Sequence, residues 1–278
     1  MEAVTRVRPG HADFTGAMKY GHSDVRNVIE RSSSRETASR VAVGGLCRQF
    51  LLQFGITIYS HVLSIVDVGY EGERAMTRDA YTQEMWEAVE ASPMRCADAA
   101  LTEKMITRIL EAKRDGDTCG GVFEVAAFGV PIGLGSYSQW DRRLSTRLGM
   151  AMMSIPSVKA MEIGAGFAAA HTTGSHVHDV LRHDEDGQWS HLSNNAGGIE
   201  GGISNGEPIV ARVGVKPIPT LAHPLPSVDL ATGENIDQSR YERSDVCVVP
   251  AAGVVGEAMM AIVLTEAMIE KFGGDSID

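Results

Sequence analysis

From about residue 33 onward, apolar positions recur at helical or alternating spacing and divide the chain into elements. Ser33 is followed three residues later by Glu36, a capping-box spacing, and Val43, Cys47, Phe50, Leu51 and Phe54 then form a mostly apolar stripe up to Gly55. This predicts a long helix stopped by Gly55. Residues 56–68 are β-branched and partly alternating and predict a strand, while 79–91 and 97–113 predict helices, the second closed by the Asp115-Gly116 turn. Residues 121–135 read as strand. Helical spacing returns over 140–154, with Leu144, Leu148, Ala151 and Met152 on one face and Pro156 as the stop. A strand over 158–169, a strand-like run over 208–215 and a buried apolar helix over 252–272, ended by Gly273-Gly274, complete the series. Residues 1–30 show little periodicity and predict irregular loop. The polar stretch 171–191 predicts an exposed loop or hairpin tip, with His-Asp-Glu-Asp-Gly at 183–187.

Long helices and strands that mix without regular βαβ alternation predict an α+β fold with largely antiparallel sheets. No repeat or Pro/Ser-rich linker divides the 278 residues, so residues 1–278 are expected to form one domain. The 44% hydrophobic content supports a sizeable core, and the 22% charged fraction excludes a disordered tail. Acidic groups outnumber basic ones 36 to 25, a net charge of −11 that argues against broad nucleic-acid binding. The longest apolar window, around residues 254–264, contains Glu257 and is shorter than the ~20 residues that cross a bilayer, so no membrane span is expected. Met1 is followed by Glu2 and Arg6 and not by an apolar leader, which predicts a cytoplasmic protein. Cys47, Cys96, Cys119 and Cys247 form neither a metal clip nor a dense disulfide frame and read as reduced core thiols.

Several segments carry candidate chemistry. Arg31-Ser32-Ser33-Ser34-Arg35 stands at the start of the long helix, where unpaired N–H groups attract anions; the alternative is an ordinary cap with solvated arginines. Residues 197–206 hold five glycines, which let a backbone approach a ring or anion closely, or simply connect two strands tightly. Two prolines stiffen Lys216-Pro217-Ile218-Pro219-Thr220, and Arg243-Ser244-Asp245 follows; the alternative is a strand exit and a surface charge pair. His11, in Arg8-Pro9-Gly10-His11-Ala12-Asp13, has the ordinary pKa of a general acid near neutrality, although a loop histidine is more often just exposed. His171, His176, His178, His183 and His191 lack the tight ligand set of structural zinc and read as a solvated loop, so no metal is expected.

In combination these segments resemble the chorismate synthase family. RPGHAD at 8–13, RNVIERSSSRETASRVA at 26–42, GDTCGGVFEV at 116–125, GLGSYSQWDRRL at 133–144, NNAGGIEGGISNGEPI at 194–209, KPIPT at 216–220, RSDVCVVPAAGVV at 243–255 and KFGGDSI at 271–277 match it in order. The resemblance is to the bacterial, single-function branch. It implies the 1,4-anti elimination of phosphate from 5-enolpyruvylshikimate 3-phosphate to give chorismate in aromatic amino-acid biosynthesis. That reaction needs reduced FMN without net redox change, and NADP is among the cofactors associated with the family. The implied architecture is long helices layered between antiparallel sheets, assembled as a homotetramer. Carried over by position, FMN would be held by Arg31, Ser32, Ser33, Gly201, Lys216, Pro217, Ile218, Pro219, Thr220 and Arg243. Arg8, Arg35 and Arg243 would bind the anionic substrate, His11 would be the acid, and Asp245 would lie near the flavin N5.

Two departures accompany the resemblance. The family's amino-terminal strand and GESHG motif, with a second histidine, have no counterpart before RPGHAD, and the chain stops just short of the usual carboxyl end. The expectation is therefore a chorismate synthase domain incomplete at the amino terminus, with an inactive flavin-binding or oligomerising remnant as the alternative. Where the family presents a small polar or Ala pair to FMN, this chain has Pro156-Ser157.

Overall fold

The computed structural model describes residues 2–70, 79, 81–183, 185 and 187–273. The amino-terminal half comprises α1 (Asp13–Tyr20), α2 (Arg26–Arg31), α3 (Thr37–Leu52), β1 (Thr57–Ile65), β2 (Val68–Gly69), α4 (Gln83–Ala91), α5 (Ala99–Arg114) and β3 (Gly121–Phe128). The rest comprises α6 (Leu144–Met153), β4 (Val158–Ile163), α7 (Phe167–Ala170), α8 (Gly174–Val177), β5 (Leu181–His183), β6 (Trp189–His191), β7 (Ile199–Glu200), β8 (Ile203–Ser204), β9 (Ile209–Val215), β10 (Ser227–Val228), β11 (Asn235–Ile236) and α9 (Val249–Phe272). The α+β class with antiparallel pairing stands: one sheet runs β2-β1-β3-β9-β4, every neighbour antiparallel, and three two-stranded ladders accompany it.

Strand periodicity explains how this sheet is covered on both faces. Phe123, Val125 and Ala127 of β3 join Ile58, Val62, Ile209, Ala211 and Val213 in the main core, under α9. The intervening residues face the other way, where Ala126, Phe128 and Val210 pack with Tyr59, Tyr81, Trp86 and Val89. There the Trp86 ring stacks on Tyr59 at 4.8 Å. Register places His61, Glu124, Arg212 and Glu162 in one row across four strands of this second face.

Helix α9 is apolar all round and packs on β1, β3, α3 and α6. At 24 residues it is longer than the apolar window predicts and could cross a bilayer by length and composition, yet thirteen of its residues are buried within the fold. It is a core helix. Glycine sets its distance from its neighbours: a Cβ on Gly44 would stand 2.4 Å from the Ala258 Cβ, and one on Gly256 would stand 2.7 Å from the Phe123 ring.

That close approach corrects the predicted stripe of α3. Gly44 and Leu51 are its buried residues while Val43 is 49% exposed, because the helix presents its smallest residue to α9. The helix also ends at Leu52, before Gly55 turns the chain with φ +75°. Residues 1–30 are not irregular throughout, since α1 and α2 lie there. They are too short for a periodic signal and pack on a satellite cluster of Val4, Val7, Ala17 and Val25. Likewise β3 stops at Phe128 and β4 at Ile163, each followed by glycines at positive φ. The predicted helices over 97–113 and 140–154 correspond to α5 and α6, and Leu144, Leu148, Ala151 and Met152 are all buried. The exposed hairpin tip expected over 171–191 is the β5–β6 ladder. Gly274, the end of KFGGDSI, and residues 184 and 186 lie outside the described residues.

Candidate active site

A cleft of about 610 Å³ opens where five separate segments meet. Its walls are Arg8 and His11, the Ser32–Arg35 stretch between α2 and α3, Pro156 and Ser157 ahead of β4, Ile218, Pro219 and Thr220 after β9, and residues 242–245 leading into α9. Hydrogen bonds pin these loops together. Lys216 N–H donates to the Ser157 carbonyl at 2.9 Å, Lys216 Nζ to the Gly10 carbonyl at 2.6 Å, and Thr118 Oγ1 to the Ile218 carbonyl at 2.7 Å. Burial, with Lys159 nearby, lowers the Lys216 pKa from its ordinary value. Ser157 holds φ +69°, unusual for a residue with a side chain, so the backbone there is held by its surroundings.

At the floor of the cleft Arg8, His11 and Asp13 form a closed cluster. Asp13 is fully buried and accepts from Arg8 Nε at 2.8 Å, from a terminal Arg8 nitrogen at 3.1 Å and from the Arg8 backbone N–H at 3.1 Å. His11 Nδ1 lies 2.6 Å from Asp13 Oδ1, and the other terminal Arg8 nitrogen donates to Thr220 Oγ1 at 2.8 Å. Burial pushes the Asp13 carboxyl up, but hydrogen bonds and charge from His11 and Arg8 outweigh it and hold the group well below the usual carboxylate range. A carboxylate so stabilised keeps the Nδ1 proton of His11 as donor and leaves Nε2 for chemistry. Arg8, predicted to bind substrate, lines the cleft with its guanidinium held by Asp13 and Thr220.

The rim supplies the cations. Arg35 and Arg243 are exposed, line the cleft and make no ion pair among the described residues. Ser33 caps the turn entering α3, its Oγ accepting from Arg35 N–H at 3.3 Å, whereas the Ser32 hydroxyl donates to the Val28 carbonyl at 2.7 Å. Unpaired guanidinium groups beside a helix entry suit a phosphate or carboxylate. Glu30, Glu242 and Asp245 also line the walls, so the cleft is mixed in sign.

The fold thus brings together Arg8, His11, Ser32, Ser33, Arg35, Ile218, Pro219, Thr220, Arg243 and Asp245. Arg31 lies just outside, on two further grooves that share Ser32; Lys216 and Pro217 do not line the cleft, although Lys216 ties Gly10 to Ser157 beside it. Gly201 is not at this cleft: it sits in the tight turn between β7 and β8, with nothing within 4 Å of a Cβ placed on it. Sequence reading assigned no role to Asp13, and it named Ser157 only within Pro156-Ser157, where the family presents a small pair to FMN. The only signal for Asp13 was its spacing of two from His11, and no sequence feature marks the positive φ of Ser157. Among the described residues no group of three or more His, Cys, Asp or Glu is arranged to hold a metal ion.

Comparison with known proteins identifies the family. The family model for chorismate synthase matches residues 1–269. The chorismate synthase of Carboxydothermus hydrogenoformans is 50% identical over 277 residues, covering 99% of this chain and 70% of that protein. That of Geobacter sulfurreducens is 54% identical over 281 residues, with 99% and 70% covered. A crystal structure of chorismate synthase superposes with a TM-score of 0.83 at 45% identity, over 95% of this chain and 72% of that one. The chain belongs to the chorismate synthase family.

Proposed function

We propose that the cleft binds FMN together with 5-enolpyruvylshikimate 3-phosphate and carries out the family's elimination of phosphate to chorismate. One observation carries the reading: two unpaired arginines, Arg35 and Arg243, face the same cleft as a histidine locked by a buried carboxylate. The substrate bears two carboxylates and a phosphate, and fixed planar guanidinium groups match such anions. The hydroxyls of Ser33 and Thr220, with the Ile218 backbone and the Pro219 ring beside them, also fit the phosphate and ring of FMN. When bound and reduced, that cofactor supplies electron density to the allylic system without net redox change. His11 holds a proton at Nε2 for the departing phosphate while Asp13 stabilises its imidazolium, and Arg35 and Arg243 orient the anions. Asp245, which lines the same cleft, would face the flavin. Arg31, Ser32, Lys216, Pro217 and Gly201 belong to the same reading as FMN-binding or FMN-positioning residues, with Gly201 requiring approach from another subunit.

The family's homotetramer is part of this proposal. Leu46, Trp140, Met150 and Phe167 are large apolar side chains, each more than two-thirds exposed, which supports burial between copies. A cytoplasmic setting accords with four free thiols. The family match over residues 1–269 supports the enzyme over the remnant alternative. The test is fluorescence titration of FMN with 5-enolpyruvylshikimate 3-phosphate present. Quenching that tightens with substrate is the expected result. Unchanged flavin fluorescence at high micromolar FMN, with the chain folded, overturns the assignment of the cleft.

A further inference from the structure

Cys119 and Cys247 lie opposite one another in a parallel β-bridge that joins the entry of β3 to the segment leading into α9. Cys119 N–H donates to the Val246 carbonyl at 2.8 Å, which fixes the pairing. Paired strands stand about 4.7–4.9 Å apart, and a disulfide accepts Cα separations of about 4.4–6.8 Å. Bridge partners also project their side chains to the same side. Cys119 is 1% exposed, Cys247 is partly exposed, and both sulfurs adjoin the main core. Burial pushes both thiols up, Cys247 to about 11, and the charge of Cys119 contributes to that rise, so the two groups are within electrostatic reach of each other.

We propose that Cys119 and Cys247 form a redox-closable pair whose disulfide staples residues 243–248, one wall of the cleft, to the entry of β3. Thr118, next to the staple, already holds the Ile218 carbonyl of the opposite wall, so closure ties both walls to one point. A small disulfide such as oxidised glutathione supplies the oxidising equivalents. Cys247, whose raised pKa leaves only a small thiolate fraction near neutrality, attacks one glutathione sulfur slowly through that fraction, forming a mixed disulfide and expelling a glutathione thiolate. Cys119 then attacks the Cys247 sulfur and expels the second, and the two cysteine protons pass to the two released thiolates. Both cysteines are oxidised and one glutathione disulfide is reduced. Cys47 and Cys96 have no such partner across a bridge and remain thiols.

The experiment treats the reduced, folded chain with oxidised glutathione, alkylates residual thiols and maps peptides without reduction. The expected result is one cross-linked peptide pair joining Cys119 to Cys247, a chain mass lower by two hydrogens, and alkylated Cys47 and Cys96. In the Cys119→Ser variant, Cys247 should instead be trapped as the glutathione adduct, while in Cys247→Ser the buried Cys119 should stay unmodified. Circular dichroism verifies that both variants fold. A native chain that stops at the glutathione adduct, links other cysteines, or resists oxidation that its urea-unfolded form undergoes overturns the proposal.

Discussion

Two clusters in this molecule contain the same three kinds of group, an arginine, a histidine and a carboxylate, and they serve opposite ends. In the cleft, Asp13 accepts from Arg8 and His11. On the second face of the sheet, Glu124 faces His61 Nε2 at 2.9 Å and accepts from Arg212 Nε at 3.0 Å and Tyr81 Oη at 2.7 Å. His11 is 19% exposed, whereas His61 and Glu124 are entirely buried. Aromatic rings seal the second cluster, with Trp86 standing edge-on to His61 at 5.7 Å. The first opens onto a space bounded by unpaired cations. Residue type and hydrogen bonding are shared, so what separates the constellation proposed to be reactive from the sealed one is a histidine ring that lines a cleft.

The largest effect that tests this contrast is on stability. Glu124→Ala leaves Arg212 and His61 without their shared acceptor inside a sealed face, and breaking a buried pair costs ~3–5 kcal/mol. Urea denaturation should show a lower midpoint or an unfolded chain; a loss below ~1 kcal/mol would mean that the row across the strands carries little energy. The pH dependence has a definite sign. Burial raises the Glu124 carboxyl, but hydrogen bonds and charge from His61, with Tyr81 and Arg212, outweigh it and hold the group down to about 2. A depressed folded pKa means that its contribution is complete above the ordinary value of 4.5 and is lost as pH falls toward about 2. Glu124→Gln should flatten melting temperature against pH across that window, and an unaltered acid limb would assign the loss to other carboxylates.

The cleft cluster should respond the other way. His11→Ala removes the proposed acid, and positioned acid catalysis contributes typically ~10²–10⁴-fold. Turnover should fall by that range while FMN affinity stays near the parent value, because an acid acts on the barrier more than on ground-state binding, and melting temperature should fall only by the loss of one bond to Asp13, which keeps three from Arg8. Anaerobic chorismate formation is the measurement, made on the 278-residue chain and on the same chain fused to a family amino-terminal segment. Unchanged turnover in the fused chain removes His11 from the chemistry.

Much of this was legible because it is local. Leu144, Leu148, Ala151 and Met152 announce α6 by spacing alone, and RPGHAD places His11 beside its own arginine and aspartate. Long-range consequences were not legible. Val43 looks like a core residue until α9 is seen to press against Gly44, and only register shows that His61, Glu124 and Arg212, far apart in sequence, share one row. Gly201 failed to reach the cleft for a related reason: a glycine run reads equally as a ligand cradle or a hairpin, and here β7 and β8 make it a hairpin.

The smallest effect is the sharpest test of the contrast. His61→Gln replaces a sealed ring with an amide whose nitrogen can still donate to Glu124, and Tyr81 and Arg212 keep their bonds to that carboxylate. One hydrogen bond of altered geometry and a lost ring edge against Trp86 should cost ~1 kcal/mol, the net worth of a typical intramolecular hydrogen bond. Turnover and its pH profile should not move, since no atom of His61 lines the cleft. The pair of histidine variants therefore dissociates the two readouts: one loses rate far beyond its small loss of stability, the other loses a little stability and keeps rate. A fall in turnover for His61→Gln comparable to that for His11→Ala, with the melting temperature preserved, would show that the second face of the sheet is coupled to the chemistry and that a histidine ring lining the cleft is not what distinguishes the clusters.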